Sequence, residues 1–177
     1  MHSFGVLLVL ASTLGWADPQ GDWTGHQILR RRDARASDPR TMILLIDTRA
    51  EDDRARGNLD RDEELILLDA IRARPEANEI AVVRGVENAE ISSSLAEVMR
   101  DQEISLEMLI VLSHGTSYAD PKSGKIQPVI ANESGKFILG PALDSHVAAF
   151  FGPVVGRFSE YARMVLSGCR LLAGMTL

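Results

Sequence analysis

Thr41-Met42-Ile43-Leu44-Leu45-Ile46-Asp47 places five consecutive apolar residues between two polar ends. A run without alternation marks a strand covered on both faces, and a strand so covered belongs to a sheet with helices on either side. Downstream, Glu79 to Val86 (with Ile80, Ala81, Val82 and Val83) and Leu106 to Leu112 (with Met108, Leu109, Ile110 and Val111) repeat the pattern. The intervals between these runs have helical spacing. In the first, residues 48–60 form a charged loop containing Gly57. Asp60 is the expected cap there, Glu63 follows three later, Leu65, Leu68 and Ile71 form an apolar stripe, and Pro75 closes the helix. In the second, Asn88 is the expected cap, and Ile91, Leu95, Val98 and Met99 share one face. Strand, helix, strand, helix, strand with short loops predicts a parallel sheet with right-handed crossovers.

After Leu112 the pattern changes. Ile126 to Ile130 and Phe137 to Leu139 flank Asn132-Glu133-Ser134-Gly135, which predicts a small β-hairpin. Beyond Pro141, Val147, Phe150, Phe151, Val154, Val155 and Phe158 stand at helical spacing, and Gly152-Pro153 should kink or split that helix. Arg163 to Ser167 reads as a fourth strand delivering Gly168 and Cys169 at its end.

Upstream, residues 18–40 are polar and Arg-rich and read as a linker or pro-segment. Arg30-Arg31-Arg32 there is a solvated run, with a processing site as the alternative. Phe4 to Trp16 is a short apolar run followed by small residues at Gly15 and Ala17, the pattern of a signal peptide over residues 1–17. The run is shorter than the roughly 20 residues needed to cross a bilayer, so no membrane span is expected after signal removal. The expectation is a secreted or periplasmic protein whose domain occupies residues 41–177.

Composition narrows the function classes. The chain has 177 residues, 45% hydrophobic and 5% aromatic, enough for one domain with an aliphatic core. A formal net charge of −6 disfavours broad nucleic-acid binding, which needs a basic face for phosphates. No Gly-x-Gly-x-x-Gly follows any strand, which disfavours a dinucleotide fold. His26 reads as a linker residue, His146 as a capping or surface residue, and Asp52, Asp53, Asp60 and Asp62 as charged loop. No paired ligand spacing points to a metal, and nothing in the sequence supports Ca²⁺ or another cofactor. Cys169 is the sole cysteine, so no internal disulfide forms, and a lone thiol in an exported chain is reactive, intermolecular or simply buried.

In an open α/β sheet, ligands bind beyond the carboxyl ends of the strands. Ser113-His114-Gly115 follows the third strand and Ser167-Gly168-Cys169 ends the fourth. Neighbouring strands lie about 4.8 Å apart, so strand order alone can bring the imidazole and the thiol together. A nearby imidazolium raises the thiolate fraction at neutral pH, and the same ring can protonate a leaving amine. The backbone N–H groups of Gly115 and Cys169 are the expected oxyanion-hole donors.

Met108-Leu109-Ile110-Val111-Leu112-Ser113-His114-Gly115 and Met164-Val165-Leu166-Ser167-Gly168-Cys169 together resemble the caspase-like cysteine peptidases: caspases, metacaspases, gingipain-like enzymes and CHAT domains. Arg56-Gly57-Asn58-Leu59-Asp60 is similar to the loop after the first strand in several members, which makes Arg56 a substrate-binding candidate. The resemblance implies a three-layer α/β domain with a mostly parallel sheet in flavodoxin-like order and a small β-hairpin insertion. It also implies a cysteine endopeptidase acting on peptide or protein substrates through an acyl-enzyme. Gly168 before the cysteine and Arg170 after it depart from the family signatures. Family members continue with further strands that build the pocket for the substrate side chain, whereas eight residues follow Cys169, so a domain incomplete at its C-terminus is expected. The alternative function is a non-catalytic caspase-like interaction module or truncated pseudo-enzyme.

Overall fold

A computed structural model describes residues 25–49, 59–74, 77–85, 87–101, 103–119, 124, 126–131, 137–139 and 151–167. The central run forms strand β2 (Thr41–Asp47), and Met42 to Ile46 are fully buried. The two similar runs form β3 (Glu79–Arg84) and β4 (Ser105–Leu112). Between them lie α1 (Leu59–Arg72) and α2 (Asn88–Val98). With β1 (Gly25–Arg30) and β8 (Phe158–Ser167) these make a five-stranded sheet in the order β1-β3-β2-β4-β8. β2, β3, β4 and β8 run parallel and β1 is antiparallel to β3, so the fold is α/β with a mostly parallel sheet.

Side-chain alternation divides the core into two layers. Met42, Leu44, Ile46, Ala81, Val83, Leu109 and Val111 pack on Ile91, Leu95 and Val98 of α2 and on Met99 at its carboxyl cap, together with Phe151 and Val154. Ile43, Leu45, Ile80, Val82, Ile110 and Leu112 pack on Leu68 and Ile71 of α1. The helices therefore lie on opposite faces of the sheet. Leu106 and Leu109 share a face although an odd number of steps separates them. The register shifts between Leu106 and Met108 against both flanking strands, which leaves Glu107 as a bulge that resets the alternation.

β1 occupies part of the segment expected as a linker. It pairs along its whole length with β3, but only Leu29 of its side chains is buried. An edge strand that buries one residue has no apolar run to betray it. The Arg-rich stretch also has a structural role. The Arg40 guanidinium sits 2.7 Å from the buried Glu79 carboxylate and 2.6 Å from Asp101, closing the amino end of the sheet.

Both helix caps differ from expectation. Asp60 is the second residue of α1, so it lies inside the first turn. Asn88 is the first residue of α2 and Glu87 is the cap, with no side-chain capping bond. The helix expected up to Phe158 stops earlier. Gly152–Val154 is a 3-10 turn with Pro153 in its first turn, Gly156 takes a positive φ of 79°, and Phe158 already begins β8. Proline removes a helical donor and glycine alone adopts that φ without strain, so the helix ends there and β8 begins.

The hairpin is part of a second sheet. β5 (His114–Ala119), β6 (Ile126–Ala131) and β7 (Phe137–Leu139) are successively antiparallel, and β5 has no counterpart among the strands expected from the sequence. Residues 1–17, Pro75, Asn132 to Gly135, Pro141 and His146 to Phe150 lie outside the described residues.

Candidate functional site

The four parallel strands stand in the order second, first, third, fourth along the chain. From β2 the chain crosses to β3 on one side, and from β3 it crosses back over β2 to β4. The direction of winding thus reverses between β2 and β4, and a crevice opens at such a reversal beyond the carboxyl ends. The last rung there is Arg84, Asp47, Leu112 and Ser167, read across the neighbouring strands. Thr48 and Ser113 stand one residue above it.

The strand ends are tied together by specific bonds. The Thr48 N–H donates to the Leu112 carbonyl at 2.9 Å, and the Ser113 N–H donates to the Ser167 carbonyl at 3.0 Å. Thr48 Oγ1 lies 3.2 Å from that same Leu112 carbonyl and 2.8 Å from Ser113 Oγ. On the other side the Gly85 N–H donates to the Asp47 carbonyl at 3.2 Å. Ser113 is the single residue between β4 and β5, and those strands belong to different sheets.

Beneath this row lies a buried set of charges. Asp47 is wholly enclosed and receives the Arg49 guanidinium through Nε on Oδ1 at 3.0 Å and Nη2 on Oδ2 at 3.1 Å. Glu64 of α1 is paired with Arg84 at the end of β3, and both are buried. Burial pushes the Glu64 carboxyl above its ordinary value; Arg84 pulls the other way, and the Asp47 carboxylate adds to the rise. Two acids and two guanidiniums offset one another, which lets four ionisable groups be buried around the carboxyl ends of β2 and β3.

Of the sequence-predicted residues, His114 is the first residue of β5 and Gly115 the second. Cys169 and Arg56 lie outside the described residues, as do Gly168, Asp52 and Asp53. Leu112 pairs with Ser167, and His114 and Cys169 each follow two residues later in the sequence. Asp47, Thr48, Arg49, Glu64 and Arg84 have no role in the sequence reading. The signal available for them is a polar Asp-Thr-Arg placed directly after a fully apolar strand.

No protein-family model matches the chain, and no curated protein is significantly similar to it in sequence.

Elsewhere, an open cavity of about 300 Å³ is lined by Gly25, His26, Glu90, Ser93, Ser94 and Glu97. It lies on the β1 side of the sheet, away from the ends of β4 and β8. Among the described residues, no cluster of three or more His, Cys, Asp or Glu side chains could hold a metal ion. Among the same residues, no helix is long and apolar enough to cross a membrane.

Proposed function

We propose that the chain is an exported, caspase-like cysteine endopeptidase in which Cys169 is the nucleophile and His114 the proton carrier. The observation that carries this reading is the parallel pairing of β4 with β8, whose last residues Leu112 and Ser167 are in register, each two positions before one member of the pair in the sequence. Three features support it further. The parallel strands follow the order of flavodoxin-like doubly wound sheets. Helices cover both faces. An antiparallel sheet begins at His114 and precedes Cys169 in sequence, where the resemblance implies a hairpin.

In the proposed reaction the Cys169 thiolate attacks the peptide carbonyl carbon, and the carbonyl electrons move onto oxygen. The Gly115 and Cys169 N–H groups are the candidate donors to that oxyanion, each worth about 3 kcal/mol in such sites. As the tetrahedral species collapses, the C–N bond breaks and the His114 imidazolium gives its proton to the departing amine. The neutral imidazole then takes a proton from water, the hydroxide so formed attacks the thioester carbon, the C–S bond breaks, and the acid leaves as the Cys169 thiolate and His114 imidazolium are restored. Proton transfer of this kind contributes roughly 10²–10⁴-fold. Arg56 is the proposed contact for the substrate side chain.

The test is covalent capture with a panel of peptidyl acyloxymethyl ketones, followed by peptide mapping. Wild type should carry a single adduct on Cys169, His114→Ala should react at least about 100-fold more slowly, and Cys169→Ala should hydrolyse no peptide. Capture without hydrolysis of any peptide would assign the non-catalytic caspase-like module. Hydrolysis surviving in Cys169→Ala would contradict the peptidase mechanism.

A further inference from the structure

We propose that Thr48 is a positioning residue for His114, its buried hydroxyl fixing the hinge at which the chain leaves the main sheet. The inference rests on the His114–Cys169 reading. Its starting point is Ser113, the one residue between β4 in the five-stranded sheet and β5 in the three-stranded sheet. His114 is the first residue beyond that hinge, so the orientation of Ser113 sets where His114 begins.

Among the described residues, four contacts meet at the hinge. The Ser113 N–H is bound to Ser167 on the strand that leads to Cys169. The Ser113 hydroxyl is 2.8 Å from Thr48 Oγ1. The Leu112 carbonyl, just before the hinge, receives the Thr48 N–H at 2.9 Å and lies 3.2 Å from the Thr48 hydroxyl. A hydroxyl offers one proton and two lone pairs, so Thr48 can donate to the carbonyl while accepting from Ser113. Both side chains are buried, Thr48 completely and Ser113 to 5% exposure. Valine would fill the same space at the end of this apolar strand with no polar atom to bury. The hydroxyl is therefore not needed to complete the core. What it adds is a directional bond at the point where the β2–β4 ladder ends. Thr48, Ser113 and Ser167 form a continuous line across β2, β4 and β8, so a shift at Thr48 reaches both strands that deliver the pair.

The experiment measures the second-order rate of Cys169 alkylation by iodoacetamide against pH, with thermal melts, in wild type, His114→Ala, Thr48→Val, Thr48→Ser and Ser113→Ala. A misplacement of about 1 Å costs on the order of 100-fold in well-aligned sites. Thr48→Val is accordingly expected to lower the neutral-pH rate at least about ten-fold and move the thiol midpoint towards the free value of about 8.5. Thr48→Ser should keep the wild-type rate within about two-fold, because it keeps the hydroxyl. Ser113→Ala, which removes the other end of the bridge, should reproduce the Thr48→Val profile. A His114-dependent acceleration that survives both Thr48→Val and Ser113→Ala overturns the positioning role and leaves the pair intact. Equal losses in Thr48→Val and Thr48→Ser also overturn it, because the hydroxyl would then not be responsible. Identical profiles for wild type and His114→Ala overturn the pair and the positioning role together.

Discussion

Glu64 is nearly fully buried on α1 and bonded to Arg84, and each partner hides the other's charge from the core. Removing one member of a buried pair takes away the charge that offsets the other, so Glu64→Ala should destabilise the fold by about 3–5 kcal/mol in a urea titration. Asp69→Ala is the control: Asp69 pairs with Arg72 at 3.2 Å but its side chain is 77% exposed, and its loss should cost below about 0.5 kcal/mol. Glu64 also sets a pH dependence. Its folded value lies above the ordinary 4.5, so the folded chain holds this proton more tightly than the unfolded chain does. Its contribution is full below the unfolded value and is lost as pH rises through the raised folded one. Asp101 runs the other way. The Glu103 N–H and then Arg40 hold it below 3.8, so its contribution is present above that value and lost as pH falls through the lowered one. Stability measured across pH 4–7 should therefore fall less steeply with rising pH in Glu64→Gln than in wild type. A parallel pair of curves would contradict the raised carboxyl.

At the scale of elements, burial follows periodicity where one face is covered. Leu95 of α2 is fully buried, whereas Ile66 of α1 is 69% exposed. Chemical denaturation should give about 2–5 kcal/mol for Leu95→Ala and no more than about 0.5 kcal/mol for Ile66→Ala. The apolar stripes of both helices and the runs of β2, β3 and β4 are legible in the sequence because a buried face must repeat. β1 is not, since its pairing is made by backbone groups that every residue carries, and it buries only Leu29. The caps are obscured for a related reason. Asp60 and Asn88 have capping side chains, but each lies inside the first turn of its helix. β8 shows the limit at a sheet edge: five steps along it oppose two along β4 between Phe158 and Arg163, and Tyr161 in that stretch is 80% exposed. Only its last part, Arg163 to Ser167, has the apolar pattern of a strand.

For the whole molecule, alternating strands and helices limit the topology, because right-handed crossovers with short connections leave few strand orders open. That makes the parallel sheet legible from the spacing of apolar runs. The features that shape the carboxyl end of the sheet are not: the register of β4 on β8, the Glu107 bulge and the Thr48–Ser113 bridge depend on contacts between residues far apart in the chain. The architecture also predicts a gradient of local stability. Amides of β2, flanked on both sides by β3 and β4 and covered on both faces, should exchange only with global unfolding. Those of the first half of β8, at the bulged edge, should exchange by local opening. Native-state hydrogen exchange tests this, and equal protection along both strands would contradict it. The function proposed for the molecule depends on the one consequence of topology that reaches chemistry, the pairing of the strands that lead to His114 and Cys169. The most direct measurement is the pH profile of Cys169 alkylation by iodoacetamide in wild type and His114→Ala. We expect a wild-type midpoint well below about 8.5 that returns to about 8.5 in the variant. Superimposable profiles at the free-thiol value would refute the His114–Cys169 pair.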